Sequence, residues 1–125
     1  MQKYIPLIFI FFLMHSSSFA QNNTENFRFT YKPMTASYEI FGGELDDSRP
    51  ADAESSNIAI KIQGAAARAI FNSLGKDVKN ACMSEPGERI RVKKDMTCFF
   101  SKKEGYSCFL GFDLKTGKSK AGVIC

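Results

Sequence analysis

Two groups of side chains in this sequence have the types and spacing to do chemistry. One is four cysteines, Cys82, Cys98, Cys108 and Cys125; the other is an acidic cluster of Asp46, Asp47, Asp52 and Glu54. The carboxylates suit calcium coordination or acid–base work on a glycosidic bond. Neither reading has its pattern: the calcium loop D-x-D-x-D-G is missing, and carboxylates among turn residues ordinarily serve to keep a loop solvated. The cysteines are 16, 10 and 17 residues apart with no C-x-x-C pair, so thioredoxin-like exchange and zinc-ribbon geometry both lack their sequence basis. The one histidine is His15, in a segment expected to be removed, which excludes Ser-His-Asp and Cys-His mechanisms. No metal and no cofactor is expected, and the cysteines read as structural disulfides.

The compartment follows from the first 20 residues. Lys3, an apolar run from Ile5 to Met14, and Ser18-Phe19-Ala20 before Gln21 form the pattern of a cleavable export signal. The apolar run is too short to cross roughly 30 Å of hydrocarbon, so no membrane insertion is expected once the signal is gone. The expected location is the periplasm or the extracellular space, where an even number of cysteines pairs. Of the 125 residues, 105 then remain, with 16 basic and 13 acidic side chains. Residues 21–35 read as a flexible arm and residues 36–125 as one small domain, in which two disulfides would each add about 2–4 kcal/mol.

Within that domain the patterns alternate between strand and helix. Ala36 to Phe41 reads as a short strand stopped by Gly42-Gly43, and Glu44 to Ser56 as an exposed, acidic, turn-rich loop. Ile58, Ile60 and Ile62 alternate with Ala59, Lys61 and Gln63 along a half-buried strand, Asn57 to Gln63. From Gly64 the spacing turns helical: Ala67, Ile70, Phe71, Leu74 and Val78 form an apolar stripe that must be buried for so short a helix to persist, with Gly75 as its C-terminal cap. A second helical turn is expected over Asp77 to Cys82. A meander follows: Arg89–Lys93, a turn at Lys94-Asp95, Met96–Ser101, Tyr106–Leu114, a turn at Thr116-Gly117, and a last strand from Lys118 to Cys125. The fold class is α+β, one principal helix on a mostly antiparallel sheet with a C-terminal β-meander and two disulfides.

A two-residue turn at Thr116-Gly117 puts Cys108 opposite Cys125 at a non-hydrogen-bonded position, where α-carbons approach to about 4.5 Å. The preferred pairing is therefore Cys108–Cys125, which leaves Cys82 to Cys98. A Cys98–Cys108 bridge is the main alternative; a three-residue loop with Gly105 as its left-handed residue gives a register two residues from the one it needs. The same pairing places Phe109 beside Ile124, with Phe99 close by, on the sheet face away from the core. That face needs a cover, either the arm with Phe27, Phe29 and Tyr31 or a partner protein.

Charge is uneven along the chain. Arg89 to Lys120 carries nine basic and three acidic residues, while Glu44 to Glu54 has five acidic residues against Arg49. Such an asymmetry steers charged partners, although lysines at hairpin tips also protect edges. No recognition helix carries the basic residues, so nucleic acid is not an expected partner. In size and compartment the chain resembles small exported proteins such as inhibitors and immunity proteins. The expected function is an exported, non-enzymatic binding protein, an inhibitor of or immunity factor against an envelope-acting enzyme or toxin. Its candidate partner-binding residues are Asp46, Asp47, Arg49, Asp52, Phe109 and Ile124. The alternatives are a small secreted enzyme or toxin using Asp/Glu chemistry on cell-wall or sugar substrates, and a small-ligand or metal carrier.

Overall fold

The computed structural model describes residues 27–79, 82 and 85–125. The export segment Met1–Ala20 and the first part of the arm lie outside the described residues. Those described belong to two units, 27–31 and Lys32–Cys125. In the first, the Phe29 and Tyr31 rings meet edge to face at 5.1 Å. The second holds every helix and strand described below.

The Ile58-Ile60-Ile62 alternation makes β3 (Asn57–Gln63) a central strand. It pairs antiparallel with β1 (Thr35–Glu44) on one side and with β6 (Gly105–Asp113) on the other. The sheet order is β2-β1-β3-β6-β5-β4, with β2 (Asp47–Arg49), β4 (Arg89–Lys93) and β5 (Met96–Ser101). A two-residue β7 (Ser119–Lys120) pairs with the far end of β6. All pairings are antiparallel. The one helix among the described residues, α1 (Gly64–Ser73), follows β3 without a loop and ends where the Leu74 N–H donates to the Phe71 carbonyl at 3.2 Å, just before Gly75. The stretch expected to form a second helical turn is extended at Val78, whose N–H donates to the Ile90 carbonyl at 2.8 Å.

Ala67 and Phe71, one turn apart, are the fully buried face of α1. They press on Ile62, Cys98 and Cys108, with Ile60, Ile70, Leu74, Phe100, Tyr106 and Leu110 packed around them. On β4 the two arginines, Arg89 and Arg91, belong to the helix side. Arg91 lies 4.3 Å and Arg89 5.2 Å from the Phe71 ring centre, and Arg91 Nη1 donates to the Phe71 carbonyl at 2.8 Å. Asp77 gathers both guanidiniums, accepting from Arg89 Nε at 2.7 Å and Arg91 Nε at 2.8 Å. The segment after the helix is thereby tied to the sheet edge.

The cysteines pair as Cys98–Cys108 and Cys82–Cys125, which corrects the preferred Cys82–Cys98 and Cys108–Cys125. Two turns decide this. The β5–β6 loop is Lys102–Glu104, closed by the pair Ser101 and Gly105, with the Glu104 N–H donating to Ser101 Oγ at 3.0 Å. It closes one residue earlier on each strand than expected, so Cys98 faces Cys108 with α-carbons 4.0 Å apart. At the next turn Asp113 Oδ1 accepts the N–H groups of Lys115 and Thr116 at 2.8 and 3.2 Å, and the Asp113 N–H donates to the Lys118 carbonyl at 2.8 Å. The loop therefore spans Leu114–Gly117 rather than two residues, and Phe112 faces Ser119. Since β5 already occupies the edge of β6 up to Phe109, the chain must leave that edge after Lys120, and no strand runs to Cys125.

The segment Ala121–Cys125 instead crosses the sheet face opposite α1. Gly122 lies against the backbone of Leu110, where a Cβ would come within 2.5–2.6 Å of its N, C and O atoms. Val123 shares a groove with Phe99, Ser107 and Phe109, and Cys125 reaches Cys82. Part of the cover that the sequence asks of an arm or a partner thus comes from the chain's own end.

Two outcomes follow. Gly122→Ala should lower stability by about 2–3 kcal/mol in urea titrations, since the three atoms nearest the added methyl are all Leu110 backbone; a loss below about 0.5 kcal/mol would contradict the tight crossing. Asp77 has its pKa lowered to about 2, first by the hydrogen bond from Arg89 and then by that from Arg91. A carboxylate depressed in the folded state stabilises above its unfolded pKa, and that contribution disappears as pH falls through the folded value. With the Asp77 side chain 41% exposed, water screening limits the effect. Asp77→Asn should therefore cost about 0.5–1 kcal/mol at pH 7 and progressively less as pH falls through about 2, a pH dependence read by thermal melts.

Candidate functional site

The acidic stretch from Glu44 to Ser56 is largely exposed and turn-rich, as the sequence suggests, and is folded into a short hairpin and a buttressed turn. Gly42 and Gly43 lie inside β1 and do not end it. A Cβ on Gly42 would meet the Pro50 carbonyl at 2.9 Å and the Ser55 carbonyl at 3.1 Å, so the returning chain needs a bare backbone there. Gly43, at φ +76°, donates its N–H to Ser55 Oγ at 2.9 Å and accepts from Asn57 Nδ2 at 2.9 Å. The strand then turns at Leu45-Asp46 into β2, with Glu44 facing Asp47.

The predicted partner-binding residues separate into three places. Arg49 and Asp52 hold each other in an ion pair. Asp52 Oδ1 also accepts the N–H groups of Glu54 and Ser55, both at 2.8 Å. These bonds, that from Ser55 foremost and that from Arg49 next, lower the Asp52 pKa to about 2. Arg49 and Asp52 therefore shape the turn, and Lys115 Nζ fixes it further by donating to the Ala53 carbonyl. Phe109 lies apart, edge to face with Phe99 at 5.7 Å and beneath Lys61 Nζ at 5.8 Å. Phe99 joins it as the strand parity suggests. Ile124 does not, because the longer turn at Asp113 displaces the chain end, and Val123 takes the place beside Phe109.

Ile124 instead meets the acidic hairpin. It is 55% exposed and lines a groove of about 380 Å³ with Leu45, Asp46, Val123 and the Glu44–Lys120 pair. Asp46 and Asp47 stand exposed at the tip of the hairpin. Lys120 links the hairpin to the sheet beside the groove. Its Nζ reaches Glu44 Oε1 at 3.2 Å and Asn57 Oδ1 at 3.4 Å, and Asn57 is only 4% exposed. The result is an apolar floor with carboxylates on its rim, fixed on one side by the sheet and on the other by the Cys82–Cys125 bond.

Asp46 and Ile124 are candidates from the sequence for unrelated reasons, and the fold brings them together. Leu45, Lys120 and Asn57 are missed by sequence reasoning. Leu45 alone has a visible signal, as the one large apolar side chain between Glu44 and Asp52.

The Asp52 carboxyl should titrate near pH 2 when followed by carbon-detected NMR, and the order of the Glu54–Ser55 turn should fail over the same range. Its contribution is present above the unfolded pKa and lost as pH falls through about 2. An ordinary midpoint near 3.9 would mean that the turn is not held in this way. Comparison with protein-family models, with curated proteins and with solved structures gave no match.

Proposed function

We propose that this chain is an exported, disulfide-stabilised, non-enzymatic binding protein, an inhibitor of or immunity factor against an envelope-acting enzyme or toxin. It holds its partner with the groove between the Leu45-Asp46 hairpin tip and the Val123-Ile124 tail. The observation that carries this reading is the meeting of Asp46, Leu45 and Ile124 in one groove. An apolar floor rimmed by Asp46, with Asp47 beside it, suits a protruding segment that combines an apolar and a basic side chain. Preorganisation by the Lys120 contacts and by Cys82–Cys125 reduces the ordering cost of association. The two disulfides fit an oxidising compartment, in keeping with the export pattern of Met1–Ala20.

Magnitudes indicate how much the groove contributes. Covering the exposed half of Ile124 is worth on the order of 1 kcal/mol, whereas nanomolar affinity needs about 12. The groove therefore acts as an anchor within a larger contact, its carboxylates contributing mainly to encounter rate and partner choice.

The test is affinity capture from the envelope fraction of the exporting organism, with wild type, Asp46→Ala/Asp47→Ala and Ile124→Ser as parallel baits. Each variant should recover its partner about tenfold less well. Equal recovery by all three would remove the groove from the interface, and hydrolysis of wall material by the purified protein would replace the binding reading with the enzymatic one.

A further inference from the structure

The two long edges of the sheet are treated differently. At β4 the edge is partly closed by the Val78–Ile90 bridge and carries Arg89, Arg91 and Lys93, the kind of charge that discourages further pairing. At β1 no strand among the described residues pairs with the outer edge from Thr35 to Phe41, and Glu39 is the single charge along it. Tyr38 and Ile40 on this edge are 69% and 46% exposed, because α1 packs over β6, β3 and β5. From this edge we infer that the chain forms a two-fold dimer in which β1 pairs antiparallel with β1 of a second copy. This contact is separate from the groove proposed above.

Three independent features select a second copy and a single register. The first is backbone direction. Gly43 turns its N–H and carbonyl towards Ser55 and Asn57, on the β3 side, so strand alternation turns those of Ala36, Tyr38 and Ile40 outward. Outward groups must meet outward groups. The second is a block: β2 covers the same edge from Gly42 onward, where Arg49 pairs with it, so an incoming strand can go no further than Phe41. The longest pairing that satisfies both sets Thr35 opposite the partner's Phe41, Ala36 opposite the partner's Ile40, and Tyr38 opposite its own counterpart.

The third feature is charge. This register puts Glu39 opposite the partner's Ser37, and Ser37 is the β3-side neighbour of Lys61. Each Glu39 thus enters the row of the other copy's Lys61, and among the described residues neither side chain is in an ion pair within its own chain. A register centred one residue later would set Glu39 against Glu39 and drive the partner's Thr35 into β2. On the helix side the chosen register lays Tyr38 against its counterpart and Ile40 against Ala36, covering the most exposed apolar side chains of the sheet. The two β1–β2 hairpins then lie at opposite ends of the shared strand pair, so one dimer offers two grooves.

Sedimentation equilibrium of the mature protein with both disulfides intact should show a dimer. Glu39→Lys and Lys61→Glu should each weaken it at least about tenfold, and Glu39→Lys/Lys61→Glu should restore it. Mild oxidation of Tyr38→Cys should give a dimer cross-linked through position 38, whose facing α-carbons would be about 5.5 Å apart, while Glu39→Cys should not cross-link. Circular dichroism and a thiol count confirm that each variant is folded. A monomer at all concentrations would overturn the inference, as would a dimer indifferent to Glu39→Lys or one cross-linked through position 39 and not 38. Loss of the dimer with partner capture unchanged leaves the groove reading standing; the reverse removes only the groove.

Discussion

One row of side chains, Ile62, Cys108 and Cys98, sits across β3, β6 and β5 beneath Ala67 and Phe71, and every other feature of the domain depends on it. A strand's side chains alternate, so a slip of one residue in β6 would turn Cys108, Leu110 and Tyr106 away from the helix and bring Phe109 in. Burial of these groups and the covalent Cys98–Cys108 bond fix that parity together, and Cys108 Sγ lies 3.4 Å from the Ala67 carbonyl. The bond closes a loop of about 10 residues, for which chain entropy alone gives roughly 3 kcal/mol. Its larger effect is to exclude neighbouring registers.

With parity set, the opposite face follows. Lys61, Phe99 and Phe109 must lie there, and a small domain cannot leave them bare at no cost. The chain end supplies cover by crossing β6 at Gly122 and binding Cys82, the closure of a much longer loop with a sequence separation of 43. Chain entropy assigns that bond about 4 kcal/mol, more than the buried one. The same crossing brings Ile124 to Leu45 and Asp46, so the staple that closes the second face also builds the candidate site.

How much of this is legible in the sequence varies with the range of the forces involved. Asn57–Gln63, Arg89–Lys93 and Met96–Ser101 are strands with the bounds read from alternation, and the stripe from Ala67 to Leu74 is the buried face of a helix ending before Gly75. Those patterns are local. The last hairpin is not: its loop is set by the Asp113 carboxylate bonding to Lys115 and Thr116, while the Leu114 N–H donates to the Ser56 carbonyl at 2.8 Å on a distant turn. An error of two residues there is enough to misassign both disulfides. Gly42-Gly43 fails as a stop signal for a similar reason, since the glycines make room for Pro50 and Ser55. The site shows the same division. The Arg49–Asp52 pair, three residues apart, is a local turn device, whereas the meeting of Asp46 with Ile124 requires the whole path of the tail.

The register of β6 is the claim on which fold and site both stand, and its most direct test is peptide mapping of the native protein under non-reducing conditions with thiols blocked. The structure requires two linked species, one joining Cys98 to Cys108 and the other Cys82 to Cys125. A peptide joining Cys108 to Cys125 would contradict it, because that bond needs the last strand beside Cys108 on the edge of β6 that β5 occupies, and it would separate Ile124 from the acidic hairpin.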